Sequence, residues 1–263
     1  MSRIGGMRGE SPSPFAVLKE IQYLQSVPIC YIIVREQSVK CRSYGEQDRL
    51  RCLTERNDVM EQREFDAYLQ SARETDNTVR DIILDHAELT GLDLRSIDFE
   101  NVSFAHCRFV GCNAEKAGFY SCTFQGCDFS NICFTDSYWK DCHLRGCKGG
   151  GADFSDAHIK LTKFEDCSLD YANFTESLLE SVTFRDCRCR YANFSQVRLK
   201  KTAFEHADLS GAEFFRTMLR GMDLSGCEIG GIVVSETLAE LKGAKIATYQ
   251  AVQIAQMLGI KIV

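Results

Sequence analysis

The chain has 263 residues and a formal net charge of −6, with 44% hydrophobic and 26% charged residues. This length allows one or two domains, and the absence of any run of about 18 uncharged apolar residues argues against a transmembrane helix. The negative charge argues against direct binding to nucleic acid, because that binding depends on Lys and Arg side chains that neutralise phosphates. No signal-peptide pattern opens the sequence, so a cytoplasmic location and no membrane association are expected.

The N-terminal part has two segments of different character. Residues 1–59 show no periodicity, and we expect a poorly patterned extension, or a translated segment upstream of a start at Met60. Residues 60–80 are more coherent, because Phe65, Tyr68 and Leu69 share one helical face. We expect them to form a helical N-terminal cap that covers the first strand edges of the next domain.

Residues 81–234 repeat with a period of five. From Leu84 to Val234 every fifth residue is apolar or small, and 24 of these 31 residues are Leu or Phe. These residues form a column of mostly large side chains. A second column of small side chains, mostly Ala and Cys, lies two residues before each of them in the sequence. A period of five fits neither a helix nor a plain strand. It predicts a coil that turns a corner every five residues, which is a solenoid.

The cysteines are interpreted as core residues. Nine of the 14 occupy the small inward column: Cys107, Cys112, Cys122, Cys127, Cys142, Cys147, Cys167, Cys187 and Cys227. Free Cys behaves as a small buried hydrophobe, and reduced thiols fit a cytoplasm. The sequence has no CxxC pair, and His86 and His106 have no evident third ligand, so no metal or cofactor is expected.

No motif indicates catalysis. The sequence lacks a hydrolase nucleophile elbow, and the Gly-rich residues 146–151 lack the Lys-Ser/Thr of a phosphate-binding loop. A convex solenoid also offers no cleft in which a nucleophile and a base could converge. We therefore expect no catalytic residues and no enzyme activity.

Acidic residues are the candidates for a partner-binding surface. Residues 81–234 hold 23 acidic and 16 basic side chains, a net charge of −7. The candidates form one cluster early in the solenoid and one in its middle: Asp85, Glu88, Asp93, Asp98, Glu100, Glu165, Asp166, Asp170, Glu176 and Glu180. A solvated surface is the alternative interpretation. Duplex DNA would carry roughly 21 charges over the expected solenoid length of about 36 Å, so DNA mimicry would have to rely on local acidic stripes.

Residues 235–263 are expected to form a C-terminal cap and dimerisation segment. The pattern predicts a helical turn closed by Gly243, a helix over 249–258 with Thr248 as N-cap, and a short strand over 260–263. The helix is apolar on more than one side, so we expect a homodimer. The candidate interface residues are Tyr249, Gln250, Val252, Ile254, Met257, Leu258, Ile260 and Val263.

Five units, GADFS (151–155), YANFT (171–175), YANFS (191–195), HADLS (206–210) and GMDLS (221–225), resemble the A(D/N)(L/F)XX unit of the pentapeptide repeat family. The resemblance implies an all-β fold, a right-handed quadrilateral β-helix with about 20 residues per coil. The C-terminal segment resembles that of the Qnr and MfpA quinolone-resistance proteins, which joins two solenoids end to end. The matching residues are Tyr249, Gln250, Ala251, Leu258, Gly259 and Ile260. The register has no insertion, which is closer to the plain rod of MfpA than to the loop-bearing Qnr proteins.

This second resemblance implies a function. It indicates a non-enzymatic DNA mimic that binds a type II topoisomerase, DNA gyrase or topoisomerase IV, and modulates it or protects it from quinolones. The alternative is a pentapeptide-repeat scaffold for an unrelated protein–protein interaction.

Overall fold

The computed structural model of the chain describes residues 62–262. The predictions for residues 1–59, for a start at Met60 and for Val263 lie outside the described residues. The first element is helix α1 (Gln62–Glu74). Phe65 and Leu69 are buried and Tyr68 is half-buried, so the face predicted from their spacing packs against the first coil. No helix among residues 62–262 is long and apolar enough to cross a membrane.

Sixteen strands of three residues follow α1. They are β1 (Thr78–Arg80), β2 (Ile83–Asp85), β3 (Glu88–Thr90), β4 (Asp98–Glu100), β5 (Ser103–Ala105), β6 (Arg108–Val110), β7 (Gly118–Tyr120), β8 (Thr123–Gln125), β9 (Tyr138–Lys140), β10 (His143–Arg145), β11 (His158–Lys160), β12 (Lys163–Glu165), β13 (Leu178–Glu180), β14 (Thr183–Arg185), β15 (Arg198–Lys200) and β16 (Ala203–Glu205). A 3-10 helix (Ala239–Leu241) and helix α2 (Thr248–Met257) are the last elements of the described residues.

The strands stack into a four-sided β-helix. Side 1 is the parallel sheet β1-β4-β7-β9-β11-β13-β15, and side 2 is the parallel sheet of β2, β5, β8, β10, β12, β14 and β16. Side 3 begins with β3 and β6 and continues as single bridges, and side 4 consists of bridges from Asp93↔Asn113 to Glu213↔Val233. Every pair up to Glu213↔Val233 joins residue i to residue i+20. The fold and the uninterrupted register predicted from the period of five are thus confirmed.

The corners between sides have left-handed backbone. Their residues have φ near +55°, as at His86 (54°), Asp136 (59°) and Tyr171 (60°). This conformation is costly for most residues and least so for Gly, Asn and Asp, which recur at the corners. Most corner side chains are exposed, so the corners form vertical columns that a partner can reach.

The core consists of the two predicted columns. All large-column residues are buried except Leu199 and Val234, which are half-buried. Phe154, Phe174 and Phe194 stack with ring centroids 5.0 and 4.9 Å apart. Close aromatic stacking of this kind adds to the hydrophobic contribution of each ring.

The buried cysteines donate hydrogen bonds to backbone carbonyls. Cys127 Sγ lies 3.3 Å from Phe104 O, and Cys147 Sγ lies 3.4 Å from Phe124 O. All eleven described cysteines are free, and all but Cys133 are buried. Hydrogen bonding to the neighbouring Cys127 thiol, together with burial, raises the pKa of Cys147 to about 12. Cys147 is therefore a neutral core thiol at neutral pH, and the burial of these cysteines confirms the core role that the sequence predicts.

The C-terminal end departs from the repeat. The last bridge, Asp223↔Lys245, joins residues 22 apart because the 3-10 helix lies between them. The predicted N-cap at Thr248 is wrong: Ala247 is the N-cap, and its N–H donates to Gln250 Oε1 over 2.6 Å. Gly259, with φ of 76°, ends α2 as predicted. The predicted strand is not formed at residues 260–262, because no segment of the described chain pairs with them and a strand requires a hydrogen-bonded partner.

Candidate partner-binding surface

Most of the acidic residues singled out in the sequence lie beside basic groups. Asp93 accepts two hydrogen bonds from Arg95, at 2.8 and 2.9 Å, and these bonds lower the pKa of Asp93 to about 2. Glu165 lies 2.9 Å from His143 Nε2 and 3.5 Å from Arg185. The other pairs are Asp85 with His86, Glu88 with Arg108, Glu100 with Arg80, Asp166 with Arg145, Asp170 with Arg188, and Glu180 with Lys160.

Two of the ten residues have no ion pair within the described part of the chain. Asp98 is half-buried on side 1, and burial raises the pKa of its carboxyl group. Glu176 is exposed at the corner between sides 4 and 1, and its Oε1 accepts a hydrogen bond from Gln196 over 3.3 Å. Most carboxylates of the two predicted clusters are therefore paired with basic side chains of the same coil or of a neighbouring coil, and Glu176 stands apart from the rest.

Glu176 belongs to a stripe of unpaired carboxylates. Asp136 and Asp156 occupy the same corner in the two preceding coils, with φ of 59° and 57°. All three residues are exposed, and none forms an ion pair with residues 62–262. Stacked coils place them about 4.8 Å apart along the solenoid axis. We refer to Asp136, Asp156 and Glu176 as the acidic corner stripe.

Side 4 next to the stripe carries no basic residue over four coils. Its segments 132–136, 152–156, 172–176 and 192–196 contain four acidic residues and no Lys or Arg. Lys116 and Arg216 occupy the stripe corner in the coils on either side of these four. The outward side chains between the acids are mainly short and polar. Asn173 Nδ2, for example, donates to Asp153 Oδ1 over 2.9 Å. Side 4 and its corner stripe thus form an acidic surface.

Asp136 and Asp156 are overlooked when acidic residues are grouped by their distance along the chain. The signal was present in the sequence: 136, 156 and 176 differ by 20, and that spacing places residues on one corner of adjacent coils.

The corner between sides 3 and 4 carries aromatic rather than acidic side chains. Tyr171 and Tyr191 stack with ring centroids 5.2 Å apart and are 66% and 57% exposed. Gly211 follows in the same column, and a Cβ there would lie 2.5 Å from the Tyr191 ring. Arg190 extends from the same region and is ion-paired with Asp208. Side 4 is therefore bounded by carboxylates on one edge and by tyrosines on the other.

Some of the predicted dimer residues are exposed, and others pack against the solenoid of their own chain. The exposed residues are Tyr249, Val252, Met257, Leu258 and Ile260. Ile254 is half-buried and packs against the core. Gln250 is fully buried, and its Nε2 donates to Leu224 O over 2.9 Å and to Cys227 O over 2.7 Å. The Gln250 side chain therefore anchors α2 to the last coils of its own chain.

The histidines form one further cluster. Within residues 62–262, Asp85, His86 and His106 are the only group of three side chains whose ligand atoms could surround a metal ion.

Comparisons with known proteins identify the repeat. A model described as a pentapeptide repeat region matches residues 117–194, and a model of eight pentapeptide repeats matches residues 97–136 and 192–229. A trypsin-treated form of QnrB1, described as a plasmid-mediated fluoroquinolone resistance protein, is 23% identical with a TM-score of 0.48, covering 71% of this chain and 97% of that one. HetL from the cyanobacterium Nostoc sp., a pentapeptide repeat protein involved in heterocyst differentiation regulation, is 17% identical with a TM-score of 0.30, covering 68% and 92%. No curated protein sequence matches the chain. Together the two models extend without a gap over residues 97–229, half of the sequence, and the chain belongs to the pentapeptide repeat family.

Proposed function

We propose that the protein is a non-enzymatic DNA mimic that binds a type II topoisomerase, DNA gyrase in the first instance, and modulates it or protects it from quinolones. The acidic corner stripe carries this proposal. None of its three carboxylates forms an ion pair within residues 62–262, although Lys116 occupies the same corner one coil before Asp136. The stripe can therefore attract a protein surface that is positively charged because it holds DNA. The resemblance of the C-terminal segment to the Qnr and MfpA group supports the choice of partner.

The spacing of the stripe allows a comparison with DNA. One DNA strand carries a charge about every 3.4 Å along the helix axis, and the stripe carries one about every 4.8 Å. The linear charge density of the stripe is therefore about 70% of that of one strand. Mimicry on this scale is local, since the acidic residues elsewhere on the solenoid are mostly ion-paired.

We propose in addition that two chains form a homodimer through the C-terminal segment. Tyr249, Leu258 and Ile260 are each more than half exposed, and large exposed apolar patches mark interaction sites. Residues 260–262 lie next to this patch without a strand partner in the described chain. An end-to-end dimer would place a second acidic corner stripe on the same rod.

The experiment is DNA gyrase supercoiling with purified protein, with and without a fluoroquinolone. Restored supercoiling in the presence of the drug would support protection, and inhibition without the drug would support competition with DNA. The triple variant D136N/D156N/E176Q should lose either effect. The control E88Q/E100Q/D170N removes the same amount of charge from ion-paired positions and should retain it. No effect of a folded wild-type dimer at tens of micromolar would contradict the gyrase proposal.

The second candidate function is a scaffold for an unrelated protein partner. The exposed Tyr171–Tyr191 stack beside Arg190 favours it, because Tyr and Arg are enriched at binding hot spots. Under this alternative, gyrase activity is unchanged by the wild-type protein.

A further inference from the structure

The corner between sides 2 and 3 brings together two imidazoles and a carboxylate. His86 and His106 occupy the same corner in adjacent coils, with ring centroids 4.8 Å apart and ring planes at 31°. Asp85 directly precedes His86. One ligand atom from each of the three side chains lies within 4.8 Å of the other two.

The Asp85 carboxylate has an unsatisfied oxygen. Its Oδ1 is buried and accepts no hydrogen bond from residues 62–262, although it lies only 2.7 Å from His86 Nδ1. A buried carboxylate oxygen without a hydrogen bond costs free energy. A cation shared by this oxygen and the imidazoles would remove that cost.

The backbone holds both histidines in place. His86 and His106 have φ of 54° and 53°, and hydrogen bonds between coils fix the corners, such as His86 N–H to Ala105 O at 2.9 Å. The next corner position is Gly126, where a Cβ would lie 2.7 Å from His106 Nδ1. The missing side chain therefore leaves room for the His106 ring.

We propose that Asp85, His86 and His106 bind one divalent first-row transition-metal ion, with Zn²⁺ as the reference ion and water at the remaining positions. Imidazole and carboxylate ligands suit Zn²⁺, Co²⁺ and Ni²⁺. Metal–ligand bonds of about 2.0–2.2 Å require ligand atoms closer together than 4.8 Å, and the exposed imidazoles can close this gap by side-chain rotation. The bound ion links the first two coils of the solenoid. This proposal is independent of the proposed function.

The chain contains its own control for this site. His206 occupies the same corner five coils later, and its Nδ1 lies 3.6 Å from Asp186 Oδ1. Its neighbours in the column are Asp186 and Gly226, so it has a carboxylate but no second imidazole. His206→Asn should therefore leave metal binding unchanged. Asn is a suitable replacement at all three histidines because it tolerates left-handed backbone.

The test is competition for Zn²⁺ between the tag-free, full-length chain and a chromophoric chelator under reducing conditions. The wild-type protein and the H206N variant should take up one Zn²⁺ and show no comparable affinity for Mg²⁺. Loss of an outer-shell partner alone lowers metal affinity by about 10–100-fold, so H86N or H106N should lower the affinity at least about tenfold. Zn²⁺ should also raise the melting temperature of the wild-type protein and H206N, but not that of H106N.

Three outcomes would overturn the proposal. The first is an affinity for Zn²⁺ no higher than for Mg²⁺. The second is a loss in H206N equal to that in H106N. The third is unchanged binding in the H86N/H106N double variant, which would assign the metal to other ligands such as thiols. Bound Co²⁺ tests this last point independently, because nitrogen and oxygen ligands lack the thiolate charge-transfer absorption of a cysteine site. Circular dichroism of each variant confirms that the exposed substitutions leave the fold intact.

Discussion

In the interior coils each large side chain stacks on its counterparts in the coils before and after, whereas helix α2 contacts the solenoid on one side only. Phe174 lies between Phe154 and Phe194 at about 5 Å from each. The end of the chain depends on two buried polar side chains, Glu240 and Gln250. The interior is thus stabilised by repeated apolar contacts that any one coil shares with its neighbours. The C-terminal end is stabilised by a few hydrogen bonds of Glu240 and Gln250, which have no counterpart in the interior coils. Substitutions in the two regions should therefore have different effects.

The largest effect is expected at Gly149 in the interior. A Cβ at this position would lie 2.3 Å from Phe129 Cε2 and 2.9 Å from Leu169 Cδ2. Gly149→Ala should therefore overpack the core and lower the free energy of unfolding by about 1–3 kcal/mol. Gly150→Ala is the matched control, because a Cβ there meets only Asp170 O at 3.5 Å. Equal denaturation midpoints for the two variants would contradict the packing argument.

A smaller and local effect is expected for Gln250→Ala. The substitution removes the donor to Leu224 O and Cys227 O and the acceptor for Ala247 N–H. Buried groups left without partners destabilise the segment that contains them, so α2 should detach before the solenoid unfolds. The global free energy of unfolding should therefore change less than in Gly149→Ala. Hydrogen exchange should then increase in residues 244–260 and not in the interior coils. Gln256→Ala, at an exposed position of the same helix, should leave exchange unchanged.

A pH-dependent effect is expected at Glu240. Burial would raise the pKa of this carboxyl group, but hydrogen bonds from Ser235 and from the Arg216 N–H outweigh burial and hold it below its usual value. Because the pKa of Glu240 is lower in the folded state than in the unfolded state, its ionised carboxylate stabilises the folded protein. This stabilisation is complete above the unfolded pKa of about 4.3, and it is lost as the pH falls through the folded pKa. Glu240→Gln should therefore destabilise at pH 7 by about 1 kcal/mol, and the difference from wild type should shrink below about pH 4.

Chemical denaturation at pH 7 and at acid pH measures this difference. Glu236→Gln is the control, since Glu236 is exposed in the same segment. A destabilisation by Glu240→Gln that is independent of pH would mean that the charge of Glu240 does not contribute.

The smallest effect on stability is expected for Leu258→Lys. Leu258 is 57% exposed, so the substitution should leave the melting temperature of the monomer unchanged while preventing the proposed homodimer. Sedimentation velocity measures the association state. Leu161→Lys, at an exposed corner of the solenoid, should retain the dimer. A dimer that persists in Leu258→Lys would place the interface elsewhere.

The sequence was informative wherever the structure repeats. The period of five predicts the buried columns and the core role of Cys127 and Cys147, because each coil imposes the same packing on the next. The resemblance to the pentapeptide repeat family implies the 20-residue register. The sequence was less informative where an interaction occurs once. The local sequence does not show that the Gln250 side chain, rather than Thr248, makes the capping hydrogen bond of α2. The position of the Gln250 side chain depends on its hydrogen bonds to Leu224 O and Cys227 O.

The candidate site was predictable only in part. Composition indicates an acidic solenoid, but ion pairs between adjacent coils decide which carboxylates remain available. Glu100 and Arg80 are 20 residues apart and pair on side 1, whereas Asp156 has acidic neighbours above and below it. The position of each charge within the 20-residue coil distinguishes the paired Glu100 from the unpaired Asp156, and this position can be taken from the sequence.

The cysteine column gives the molecule a set of internal reporters along its length. Thiols in the same inward position occur in successive coils at Cys107, Cys127, Cys147, Cys167 and Cys187, and all are buried. A solenoid of this kind can open from its ends one coil at a time, and each opening exposes a different thiol to an alkylating reagent. The order in which these residues become labelled would therefore record the order in which the coils separate, without the introduction of any probe.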